Sequence, residues 1–90
     1  MAQTGGFTPQ LLADLCLGHL AENPAQLAAF MNVSGYTPDA LRGAVGSNQL
    51  QFGLIDYFSQ NETLLLAVCA NNGMQPEQFM RVWHGLNPGG

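Results

Sequence analysis

The chain has 90 residues, of which 47% are hydrophobic and only 9% charged, with a formal net charge of −4. An average protein is about 25% charged, so other polar groups must hydrate this surface; eight Gln and seven Asn supply them. Arg42 and Arg81 are the only Lys or Arg residues, and because binding phosphate backbones needs several clustered cations, nucleic acid is excluded as a partner.

Thirteen Leu and ten Ala against four Val, one Ile and four Thr predict an all-α chain of one domain. Residues 1–7 lack the basic and apolar segments of a signal peptide and are expected to form a flexible tail, with Phe7 as a hydrophobic staple against Leu12. Proline fits the first turn of a helix, where its missing N–H costs nothing. Thr8-Pro9 therefore opens a first helix over 9–21, Asn23-Pro24 a second over 24–34 and Thr37-Pro38 a short third over 38–45. After the turn Gly46-Ser47-Asn48, a fourth helix is expected over 49–59 and a fifth over 62–72. Gln75-Pro76 opens a sixth over 76–84, and 87–90 form a second flexible tail, leaving 8–86 as the domain.

The first and fourth helices are apolar around most of their circumference. Their narrow polar stripes are Gln10, Asp14 and Gly18 on one and Gly53, Asp56 and Gln60 on the other. Both are expected to lie centrally in the bundle. The longest apolar run, 64–70 in the fifth helix, is seven residues, against roughly 18–20 for a membrane span. No span is predicted, and burial of that helix is expected in preference to a partner-facing surface.

An internal repeat at an offset of 38 residues relates the two halves, 9–45 and 49–86. Asn23, Leu27, Ala29, Gly35 and Pro38 recur as Asn61, Leu65, Ala67, Gly73 and Pro76. Leu12, Cys16, Leu17, His19 and Leu20 correspond to Leu50, Leu54, Ile55, Tyr57 and Phe58. At the centre of each unit a helix ends on glycine, an apolar residue (Tyr36 or Met74) follows, and a polar residue with proline starts the next helix. The expected architecture is a compact bundle of about six short helices in two pseudo-repeated three-helix units.

Three segments together resemble a known family: His19-Leu20-Ala21-Glu22-Asn23-Pro24 with Leu27 and Phe30, then Gly35-Tyr36-Thr37-Pro38-Asp39-Ala40-Leu41-Arg42, then Leu54-Ile55-Asp56-Tyr57-Phe58 leading to Asn61-Glu62-Thr63-Leu64-Leu65. They resemble the bacterial, mostly alphaproteobacterial, Domain of Unknown Function 3572 family of small helical proteins. The resemblance implies a compact helical bundle in the bacterial cytoplasm and brings no activity, cofactor or catalytic residue with it. Here amides and glycine take many places that the family fills with Ala, Asp, Glu and Arg.

Reactive residue types are few and isolated. Cys16 and Cys69 form no Cys-x-x-Cys pair and are expected as reduced, buried thiols. His19 falls on the apolar face of the first helix and is expected to pack with one polar tip, whereas His84 near the chain end is expected to cap or meet solvent. Neither pairs with a nucleophile and carboxylate as a triad requires, so no catalytic, metal or cofactor site is predicted. Tyr36, Met74, Phe79 and Trp83 are the candidate interaction surface, with helix capping the competing role for the first two and core packing for Trp83. The expected function is a noncatalytic protein-interaction or assembly module, binding an unknown protein partner or itself. The alternative is a small apolar-ligand binding protein using a cleft between the two units.

Overall fold

Four of the six helices begin on proline, and the residues around each start decide how firmly it is closed. The computed structural model describes residues 8–87. Its helices are α1 (Pro9–Ala21), α2 (Pro24–Ser34), α3 (Pro38–Ala44), α4 (Asn48–Ser59), α5 (Glu62–Asn71) and α6 (Pro76–Leu86). Phe7, its expected staple and the segments 1–7 and 88–90 lie outside the described residues. No helix among the described residues is long and apolar enough to cross a membrane.

Hydroxyls close three N-termini: Leu11 N–H donates to Thr8 Oγ1 at 3.0 Å, Ala40 N–H to Thr37 Oγ1 at 3.1 Å and Leu50 N–H to Ser47 Oγ at 3.1 Å. Each satisfies a donor that the first helical turn leaves unpaired. At α6 the side-chain oxygen of Gln78 accepts the Gln75 backbone N–H at 2.8 Å. Asn23 and Asn61 behave differently. Each stands at the start of a helix yet turns its amide back to the preceding one, donating to His19 O at 2.7 Å and Tyr57 O at 2.6 Å. One residue thereby closes α1 or α4 and fixes the corner into α2 or α5.

Helix boundaries differ from expectation at three places. Val45 is extended, not helical (φ −57°, ψ 129°), and Gly46 supplies a left-handed turn (φ 91°) that brings Ser47 to the start of α4 one residue early. At α5, Asn72 leaves the helix and its amide donates to Val68 O at 2.8 Å. The last helix runs two residues further than predicted, to Leu86. There Asn87, expected in the trailing tail, donates its N–H to His84 O at 3.1 Å and its amide to Trp83 O at 3.0 Å.

α1 and α4 form the centre of the bundle. The most extensive helix contact is between them; α4 also packs on α3, α5 and α6, and α1 on α2 and α5. Leu12, Ala13, Cys16 and Leu20 of α1 and Leu50, Leu54, Ile55 and Phe58 of α4 are all buried in one cluster. The outer helices contribute unequally. α5 buries Leu64, Leu65, Val68 and Cys69, but the opposite face of this wholly apolar segment is outside, with Leu66 47% exposed. α2 fully buries only Phe30 and α3 only Leu41. Phe30 meets the Tyr57 ring edge-on at 5.1 Å between centroids, a contact of α2 with α4.

Removing buried methyl groups from the central pair costs transfer and cavity energy together. Leu54→Ala is expected to lower stability by about 2–5 kcal/mol and Leu66→Ala by no more than about 0.5 kcal/mol. Urea unfolding followed by circular dichroism checks both. Equal losses would contradict the assignment of the two leucines to core and surface.

Candidate functional site

The four residues expected to form an interaction surface do not share one. Met74 is 4% exposed and Phe79 fully buried, so both belong to the core, and the surface reading is corrected for them. The cause at Met74 is the helix end. Gly73 adopts a left-handed conformation (φ 62°), and the Met74 N–H reaches Cys69 O at 2.9 Å, folding the methionine over the last turn of α5. Gly35 is also left-handed (φ 83°), but there the glycine's own N–H bonds Met31 O at 2.8 Å, and the Tyr36 N–H faces Ser34 Oγ at 3.4 Å. Tyr36 is left half-buried, stacked on Phe30 at 6.4 Å. Trp83 is half-buried too. Its indole N–H donates to Asp56 Oδ1 at 3.0 Å, and Gln60 Nε2 donates to Oδ2 of the same carboxylate at 3.0 Å. That carboxylate ties α6 to α4 across 27 residues of sequence.

Cys16 and Cys69 are buried free thiols. Burial pushes the Cys16 thiol far up, and the charge that Cys69 would carry pushes it further; burial also raises Cys69. This is opposite to the activation of a nucleophilic cysteine. His19 is half-buried, its ring edge-on to Phe58 at 6.0 Å, and it lines a cleft with Leu15, Glu22, Asn71 and Asn72. His84 is exposed in the last turn of α6, its ring edge-on to Trp83 at 5.0 Å. No group of three or more His, Cys, Asp or Glu among the described residues is arranged to hold a metal ion.

Three surface clefts join the two halves of the chain: one between α2 and the α4–α5 corner, one beside His19 and Asn72, and one lined by Pro9, Phe52 and Leu86. In the first of these, Gln26, Gln60, Asn61, Glu62 and Thr63 stand beside Ala29, Tyr57 and Leu64, so its walls are mixed polar and apolar. Gln26 Oε1 is buried there without a hydrogen-bond partner. A more apolar recess lies within the first three helices and the turn after them. It is an open groove of about 360 Å³ between α2 and α3, with Leu17 of α1, Leu27 and Met31 of α2, and Pro38, Leu41 and Val45 on the α3 side. Arg42 is its one charged lining residue. The arginine is exposed and donates from Nη2 to Asp39 Oδ1 at 2.6 Å, one turn back on α3. The sequence shows each of these side chains; it does not show that α2 and α3 stand apart around them.

Residues 8–89 match the family described as Protein of unknown function (DUF3572), and the chain belongs to that family. No curated protein and no solved structure matches it.

Two measurements probe the polar and thiol groups. Both thiols have folded pKa values above the ordinary value of about 8.5, so between the unfolded and folded values the native state binds more protons. Their stabilisation is complete below the unfolded pKa and is lost as pH rises through the folded values. The urea midpoint should fall between pH 8 and 10, and Cys16→Ala with Cys69→Ala should flatten that fall; an unchanged slope would contradict the burial of the thiols. Trp83 is the only tryptophan, so its emission reports its own hydrogen bond. Asp56→Ala should red-shift that emission and lower stability by about 1–2 kcal/mol, whereas Asp56→Asn, which keeps an acceptor, should retain most of both.

Proposed function

We propose that this member of the family is a noncatalytic protein-interaction or assembly module whose contact surface is the groove between α2 and α3. The reading treats the chain as two related three-helix units at an offset of 38 residues. Supporting it, Asn23 and Asn61 make the same bond back to the fourth residue before them, and Gly35 and Gly73 both turn left-handed.

One observation carries the functional conclusion. Placed on the second unit, the groove residues Leu17, Leu27, Met31 and Leu41 fall on Ile55, Leu65, Cys69 and Phe79, all of them buried. In the first unit Leu17, Leu27 and Met31 are only half-buried, and Val45, whose counterpart is Trp83, is 52% exposed. The helix contacts explain the difference. α5 and α6 pack on one another, whereas the substantial packing of α2 is on α1 and that of α3 on α4. Positions that the second unit closes internally are held open in the first. A half-open apolar surface on a small domain is a liability in water unless something covers it, and a partner protein supplies that cover.

The low charge supports the same conclusion, because neutral contact surfaces associate through apolar burial with little repulsion to overcome. The reading places the domain in the cytoplasm, where two buried thiols stay reduced. A small apolar ligand is the second reading, favoured by a volume that falls within the range of ligand pockets. It is placed in this groove, whose lining is apolar apart from Arg42, in preference to the clefts between the units, where amide side chains share the walls with apolar ones.

The test is photo-cross-linking in the native cell, with a benzophenone amino acid replacing Met31 or Val45 in the groove, or Gln49 or Glu77 on exposed helix surface elsewhere. Discrete adducts at Met31 and Val45, absent at Gln49 and Glu77, are expected, either at twice the chain mass or with a second protein. Absence of groove adducts, or the same adducts from all four sites, would overturn the module.

A further inference from the structure

We propose that the occupant of the groove is an amphipathic α-helix of a partner protein that carries a carboxylate beside its apolar anchors. The inference rests on the interaction-module reading above and adds the chemistry of what is recognised.

Dimensions come first. On the α3 side the lining positions are Pro38, Leu41, Arg42 and Val45, spaced as one helical stripe with a short extension. On α2 they are Leu27 and Met31, one turn apart. Seven residues of helix span about 10 Å at 1.5 Å per residue, so the walls match about two turns of an incoming helix. Such a helix presents apolar anchors at i, i+4 and i+7 on one face, the usual pattern for a helix seated in a groove. Side chains entering between α2 and α3 would cover Leu27, Met31 and Val45 while resting on Leu17. They would replace in trans the contact that α5 and α6 make with one another.

Charge then chooses among helices. The chain as a whole is net −4 with six carboxylates, yet the charged group on the groove lining is cationic. Arg42 uses Nη2 on Asp39, and the side chains of both partners are highly exposed, at 75% and 94%. A solvent-exposed pair of this kind is held weakly, so the guanidinium is available to a second carboxylate and presents a planar fork of donors to it. Asp39 would attract a lysine, but it is not among the residues that line the groove, whereas Arg42 is and repels one. A partner helix with Glu or Asp flanking its anchors is therefore favoured over one with Lys or Arg. A second copy of this chain is disfavoured as the occupant, because the large exposed apolar residues of its helices, Leu11, Val33, Phe52 and Leu66, stand one to a helix and form no i, i+4, i+7 row.

The methionines give a direct readout. The chain has four, of which Met31 lies in the groove, Met74 is buried after α5 and Met80 is half-buried on α6. The probe is an alanine-rich helical peptide with Leu at i, i+4 and i+7 and Glu beside the anchors, compared with the same peptide carrying Lys there. Each is titrated into the full chain labelled at the methionine methyls. A saturating shift of the Met31 signal is expected, with Met74 and Met80 unmoved. The Glu peptide should bind about fivefold more tightly than the Lys peptide, lose that advantage at high salt, and become the weaker of the two on Arg42→Glu. Arg42 is exposed, so this variant is expected to fold. Shifts at Met31 with no preference between the peptides would overturn the acidic partner while leaving the groove as an interaction surface. No Met31 shift at millimolar peptide would overturn a helical occupant altogether, and cross-linking at Met31 in that case would show that the groove engages something else.

Discussion

The packing of α1 against α4 is the constraint on which the rest of this bundle depends. These are the two longest helices, and their buried residues make up half of the core: Leu12, Ala13, Cys16 and Leu20 face inward on one, Leu50, Leu54, Ile55 and Phe58 on the other. Fully burying an aliphatic or aromatic side chain of this size contributes about 1.5–3 kcal/mol relative to leaving it in water. A domain of 90 residues has little else to draw on, with no disulfide among the described residues and few charges. Every other helix packs on one or both members of this pair.

How each helix attaches decides what it leaves outside. α5 lays four side chains into the core and closes on α6, whose Trp83 is tied back to α4 through Asp56. α2 is held by Phe30, wedged between Tyr36 and Tyr57, and α3 by Leu41 together with the turn at Gly46. The amide groups that replace charge on this surface serve the same corners: Asn23, Asn61, Asn72 and Asn87 all donate to carbonyls at helix ends. The corners are thus fixed without ion pairs, and α2 and α3 leave an open apolar groove between them. The proposed function follows from that opening.

Much of the fold was legible in the sequence because its punctuation is local. Proline after a polar residue sets a helix start whatever the tertiary context, and α1 and α2 fall on the predicted residues. The centrality of α1 and α4 was equally legible, since a helix apolar around most of its circumference has to be surrounded. Met74 and Tyr36 show where reading by analogy stopped. Both follow a helix-ending glycine, but Asn72 leaves α5 early enough for the Met74 N–H to reach Cys69 O, while Ser34 stays helical and Tyr36 is left at the edge. Capping geometry shifted by one residue separates a core side chain from a half-exposed one. The groove was not legible at all. Leu27, Met31 and Val45 look no different in sequence from residues that are buried, and only the gap between α2 and α3 sets them apart.

Native-state hydrogen exchange gives the most direct test of the central claim, that α1 and α4 form the stable spine and α2 and α3 an attached, less protected flank. Local opening free energies scale with the burial and contacts each segment would lose. Amides of α1 and α4 are predicted to exchange only through global unfolding, with those of α5 close behind, while amides of α2 and α3 exchange through a smaller opening that leaves the spine intact. Equal protection of α2, α3 and α4 would contradict the account, because it would mean that the flank is held as tightly as the core and that its open apolar side is no weak point in the fold.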